Sequence, residues 1–201
     1  MSIMIPETLA ATLGKDVLDA LMERLAPPMS ARADVVFEIE VEAAGEGTFV
    51  LAYQNKALLA KKGFAKSPLL SVQMDKAAWP LVREQLQAAV DGFPQAPHLQ
   101  RAADVLRGLS GAEVHSFVRS ITAIKDAVVR LDVKGAGKSA VGRGPIDEAT
   151  NEMTVGLDAQ ALRLVLQGAP LTSLQPTVKG DRGVAASIAA AAAPLLQRLR
   201  R

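Results

Sequence analysis

The chain has 201 residues, of which 49% are hydrophobic and 22% charged, enough apolar material for a buried core and too much for a disordered chain. A net charge of +2 names no polyanionic partner, and aromatic residues at 3% leave few stacking platforms, so no nucleic acid is expected as a partner. The absence of cysteine excludes disulfides, thiolate metal sites and a cysteine nucleophile, and is compatible with the cytoplasm, where the protein is expected to work.

Residues 7–26 read as an amphipathic helix, with Leu9, Leu13, Val17, Leu21 and Leu25 at helical spacing and Pro27-Pro28 as its stop. The stretch before it lacks a basic region and a small-residue cleavage site, so no signal peptide is expected. The period then changes to two. Val35, Phe37, Ile39 and Val41 alternate with Glu38, Glu40 and Glu42, which predicts a strand with an apolar face and a glutamate face turned to water. Gly45-Glu46-Gly47 turns the chain into a second strand through Phe49, Leu51 and Tyr53, and Gln54-Asn55-Lys56 turns it again. Ala57–Ala60 reads as a third strand closed by Lys61-Lys62-Gly63, and Leu69–Met74 as a fourth. Asp75 is placed to cap a helix reaching about Val90, with Pro80 near its first turn.

Asp91–Pro97 reads as a linker, followed by helices over 98–108 and 111–124, broken at Gly108-Leu109-Ser110-Gly111. Val129, Leu131 and Val133 then share one strand face and Arg130, Asp132 and Lys134 the other. Gly135–Gly144 is read as a short, weak strand, Met153–Leu157 as a stronger one, and Asp158 as the cap of a helix ending at Gly168. Thr177–Lys179 extends, and 184–200 is helical. The apolar run Val184–Leu196 is shorter than the roughly 20 residues a membrane span needs, so no transmembrane segment is expected.

The halves of the chain are alike. SVQMDKAAWPLV at 71–82 lies over TVGLDAQALRLV at 154–165 without a gap, and VVFEIEVEAAGEG at 35–47 is similar to VVRLDVKGAGKS at 128–139. Each half reads as a helix, antiparallel strands and a capped helix, which predicts an α+β chain with one or two helix-covered sheets.

The run MTVGLDAQALRLVLQGAPLTSLQPTVKGDRGVAAS carries a strand, an Asp cap, a helix stopped by Gly168, and Val178-Lys179-Gly180-Asp181 leading into a last helix. This order resembles the sterol carrier protein type-two family of lipid-transfer domains. The resemblance implies an antiparallel sheet covered by helices, with residues 1–92 as one sterol-carrier-like repeat and 93–201 as a second, residues 97–125 forming a helical connector and the two repeats having either separate sheets or one merged sheet. The first half lacks the Gly-Asp element and the second has a shortened middle. Gly180 and Gly183 are expected to permit the sharp turn into the last helix, and Asp181 to cap it.

The resemblance implies a non-catalytic carrier, not an enzyme, that holds a lipid or acyl chain between sheet and helices without cofactor or metal. Facing places Phe37, Ile39, Leu51, Val155, Leu162, Leu166, Val184, Ile188 and Leu195 as candidate ligand-binding residues, each of which ordinary core packing explains equally well. The alternative is an interaction module of the same fold with a filled core, binding another protein or forming a homodimer. Other motifs carry little. His98 and His115 lack metal-site spacing, Gly-Lys-Ser at 137–139 lacks the upstream glycine of a phosphate loop, no serine sits in GxSxG, and Trp79 reads as core.

Overall fold

In the computed structural model, residues 35–45, 47–81, 84, 104–105, 107–166 and 174–200 are described. The expected helix over 7–26, the linker at 91–97, His98 and Gly168 lie outside them.

Eight strands form one mixed sheet: β1 (Phe37–Ala43), β2 (Gly47–Gln54), β3 (Ala57–Lys62), β4 (Leu70–Met74), β5 (Ala127–Lys134), β6 (Gly137–Arg143), β7 (Asn151–Asp158) and β8 (Thr177–Gly180). Their order is β3-β2-β1-β4-β6-β5-β7-β8. Three helices have both ends among the described residues: α1 (Gly111–Thr122) before β5, α2 (Ala159–Leu166) after β7, and α3 (Arg182–Arg200) after β8. The architecture is α+β. Among the described residues no helix is long and apolar enough to cross a membrane.

The expected sheet was antiparallel, and here the structure differs. β1 runs parallel to β4, and β5 parallel to β7. Each parallel pair is made by a connection laid across the sheet. Residues 63–69 pass over the glutamate face, where Ala65 N donates to Glu40 Oε2 at 2.8 Å and Leu69 N to the Glu38 carbonyl at 2.7 Å. Residues 144–150 pass over the same face of the second half, in a 3-10 turn (Ile146–Glu148) whose Ile146 is buried on Val128 and Ala140. The glutamates are therefore not simply wet. Glu38 keeps 16% side-chain exposure and pairs with Lys61 at 2.9 Å, and only Glu42 is exposed.

Local chemistry accounts for the turns. Gly45 and Gly47, and again Gly135 and Gly137, take positive φ in the two hairpins. Asn55 and Lys56 both adopt left-handed angles, φ 51° and 63°, so β2 and β3 are joined by a two-residue turn of type I′ character with lysine where glycine is the easier residue. Lys61 and Lys62, expected to close the third strand, lie inside β3, paired with Val50 and Phe49. The break at Gly108–Gly111 is a helix start: Ser110 caps α1, its hydroxyl accepting from Glu113 N while the Glu113 carboxylate accepts from Ser110 N at 2.8 Å.

The strand read as short and weak is central. β6 spans seven residues and pairs with β4 on one side and β5 on the other. Gly142 sits there because a Cβ would meet Val128 and Ile146 within about 3 Å. Gly142, which weakens the strand pattern in sequence, makes room for the crossing 3-10 turn.

All three helices lie on the face opposite the crossings. α3 packs Val184 and Ile188 against Ala127, Met153 and Val155. Ile121 of α1 meets Ala191 of α3 over Leu69, and Leu162 of α2 joins Leu81 and Val133.

Candidate functional site

Cross-strand register places the helix-side residues in rows. One row runs Phe49, Val41, Val72, Val141, Val129, Met153 across β2, β1, β4, β6, β5 and β7. Every member is apolar, as a covered face requires. The ends are closed, Phe49 being 1% and Met153 6% exposed. The middle is open. Val72 and Val129 are half-buried, and Val141 keeps 38% exposure although it sits on an interior strand under the helix layer. In the neighbouring row Ile39 and Leu51, opposite one another, are half-buried too.

This is the reverse of an ordinary core, in which exposure falls toward the centre of the sheet. α1 and α3 cover the β1 and β7 ends, and Trp79 covers Ala43, Phe49 and Met74. Between these groups the described residues leave a band of aliphatic side chains partly uncovered.

The residues expected to line a cavity fall into four places. Ile39 and Leu51 border this band. Val155, Val184 and Ile188 meet in one cluster under α3. Leu162 packs with Leu81 and Val133, and half-buried Leu131 touches both that cluster and the α3 cluster. Phe37 stacks on Tyr53, centroids 5.2 Å apart, with Phe117 edge-on at 5.9 Å beneath α1. Leu166 ends α2 and Leu195 lies in α3, and their side chains are outside the described residues. Sequence reasoning missed Val72, Val129 and Val141. The alternation Ser139, Val141, Arg143 was the available signal, masked by the flanking glycines.

Among the described residues, two buried donors on the helix side have no acceptor: the indole Nε1 of Trp79 and the guanidinium Nε of Arg143. Burial in the aromatic cluster raises the Tyr53 phenol above its ordinary pKa.

The opposite face is polar. Arg130 Nε pairs with Glu152 at 2.8 Å and Gln73 Nε2 donates to Glu42 at 3.2 Å. Two cavities of about 290 and 220 Å³ open there, the first against Glu42, Gln73, Asp75 and Lys138, the second against Glu40, Ser71 and the 145–148 crossing. Among the described residues no group of three or more His, Asp and Glu is arranged to hold a metal ion. His115 is exposed, its Nε2 at 2.9 Å from an Arg119 guanidinium nitrogen.

At the turn into α3, Gly180 has φ +89°, and a Cβ there would strike the Glu152 carbonyl. Gly183 needs no unusual φ. It is small because a Cβ would lie 3.0 Å from Asp181 Oδ1, which accepts from Gly183 N at 2.7 Å.

Compared with protein-family models, with curated proteins and with solved structures, the chain matches none of them.

Proposed function

We propose that the chain binds a hydrophobic ligand, a lipid or acyl chain, along the partly uncovered aliphatic band on the helix-covered face of its sheet, without catalysing a reaction. The observation that carries this reading is the exposure of Val141 at the middle of an all-apolar row whose ends are closed. Apolar surface left uncovered contributes about 25 cal/mol per Å² when a guest removes it from water, before the costs of binding.

The same reading takes the two halves as copies of one sterol-carrier-like unit. The triplets β2-β1-β4 and β6-β5-β7 have the same order and the same relative directions. Asp75 Oδ1 accepts from Ala78 N at 2.6 Å and Asp158 Oδ1 from Ala161 N at 2.7 Å, and Trp79 and Leu162 are buried at matching places. The hairpin glycines set Phe37 against Ala127, not Val35 against Val128 as the letters alone suggest. The letter match would put a helix-side residue on a crossing-side one, and facing forbids that. The succession β7, Asp158 cap, α2, β8, Asp181 and α3 is the order on which the family resemblance rests.

The test is native mass spectrometry of gently purified protein, followed by titration of the delipidated chain with the neutral probe N-phenyl-1-naphthylamine. Co-purified lipid and saturable probe fluorescence are expected, and Val141→Lys is expected to weaken the probe tenfold or more with little change in melting temperature. A lipid-free dimer that binds no probe would overturn the carrier reading in favour of self-association.

A further inference from the structure

Resting on the carrier reading, we propose that Arg143 is the residue that sets ligand specificity, and that the ligand is an aliphatic chain with an anionic head group, a carboxylate or a phosphate. Arg143 ends β6. It lies two residues beyond Val141 on the same strand, so both side chains leave the sheet on the helix side, their Cα atoms about 7 Å apart. Across β5 its partner is Ala127, 2% exposed within the α3 cluster. A cation therefore stands beside the middle of the aliphatic row, displaced from Val141 along β6.

Among the described residues no carboxylate forms an ion pair with it, although Asp126 stands close by against Gly144. The Arg143 Nε is buried and has no hydrogen-bond partner. Four other arginines are engaged: Arg130 with Glu152 and the Ile146 carbonyl, Arg163 with Glu84, Arg107 with Asp104, and Arg119 beside His115. A planar guanidinium offers paired donors that match the oxygens of a carboxylate or phosphate, and desolvation strengthens that match. An acyl tail that starts over Val141 and runs across the sheet toward Val129 or Val72 would have its head beside Arg143 on β6. A neutral head such as a hydroxyl can accept one hydrogen bond from the guanidinium but brings neither the paired oxygens nor the opposite charge, which is the basis of discrimination.

The experiment compares oleate with oleyl alcohol, which share a tail and differ in the head, as competitors of N-phenyl-1-naphthylamine on the delipidated full chain. Wild type is expected to bind oleate at least tenfold more tightly than the alcohol. Arg143→Met is expected to weaken oleate about tenfold, leave the alcohol unchanged and so bring the ratio near one, while Arg143→Lys retains part of the preference. Arg143→Gln serves in the same comparison if the methionine variant does not fold. Equal binding of the two ligands by wild type, or an unchanged ratio in the variants, overturns the assignment of Arg143 and leaves the carrier reading standing. Failure of both ligands and of the probe to bind removes the carrier reading itself, and this inference with it.

Discussion

Tyr53 is 3% exposed, stacked on Phe37 and packed with Leu109 and Val114. Its pKa is raised by desolvation, so the folded state holds the phenol proton to higher pH than the unfolded chain does. In the window between the two pKa values the native state binds more protons, and stability falls as pH rises. The contribution is complete below the unfolded value of about 10 and is lost as pH climbs through the folded one. Thermal melts between pH 8 and pH 11.5 are expected to show a decline beginning near pH 10, shallower in Tyr53→Phe. An unchanged slope in that variant would assign the decline to other groups. At this scale the caps were legible, because an aspartate and the backbone N–H three residues on are neighbours along the chain. The unpartnered Nε of Arg143 was not, since it depends on which strands flank β6 and on what their side chains withhold.

Asp75 and Asp158 make the same helix cap, but they are not equivalent elements of the sheet. The second oxygen of Asp75 also accepts from Lys138 N at 2.7 Å, and Asp75 N donates to the Lys138 carbonyl at 2.9 Å, tying the end of β4 to the β5–β6 hairpin. Gly137 is what allows that approach: an added Cβ would land on Asp75 Oδ1 and within 2.6 Å of Ala78 N. Losing a cap costs about 1 kcal/mol, and an additional side-chain hydrogen bond about 1 more. Asp75→Ala is therefore expected to cost about 2 kcal/mol and Asp158→Ala about 1, measured as shifts in urea midpoint. Equal losses would refute the extra tie. Strand existence was readable wherever alternation was undiluted, as in β1 and β5. β6 was underread because a glycine placed for the crossing turn resembles those of a loop. Strand direction left no trace at all, since β4 and β7 owe their parallel partners to the paths of short connections, not to their own residues.

Across the whole molecule, β4 and β6 join the first half to the second, and Leu81 reaches Val133 and Leu162 on the other side of that seam. Units that share a sheet and a core should unfold together. The single tryptophan, Trp79, reports the first half, while far-ultraviolet circular dichroism reports both. The two urea transitions are expected to coincide, and separated midpoints would mean the halves melt independently. One continuous sheet was among the arrangements the sequence allowed, without anything in it to choose between joined and separate halves. The triplets β2-β1-β4 and β6-β5-β7 also face the same way, an arrangement that closes on nothing: a third triplet could follow the second as the second follows the first. What halts such growth stands at the two margins. β8 is only four residues long and ends in a bent glycine, while β3 carries Lys61 and Lys62. Shortness at one border and lysines at the other are features that discourage a further strand from pairing there.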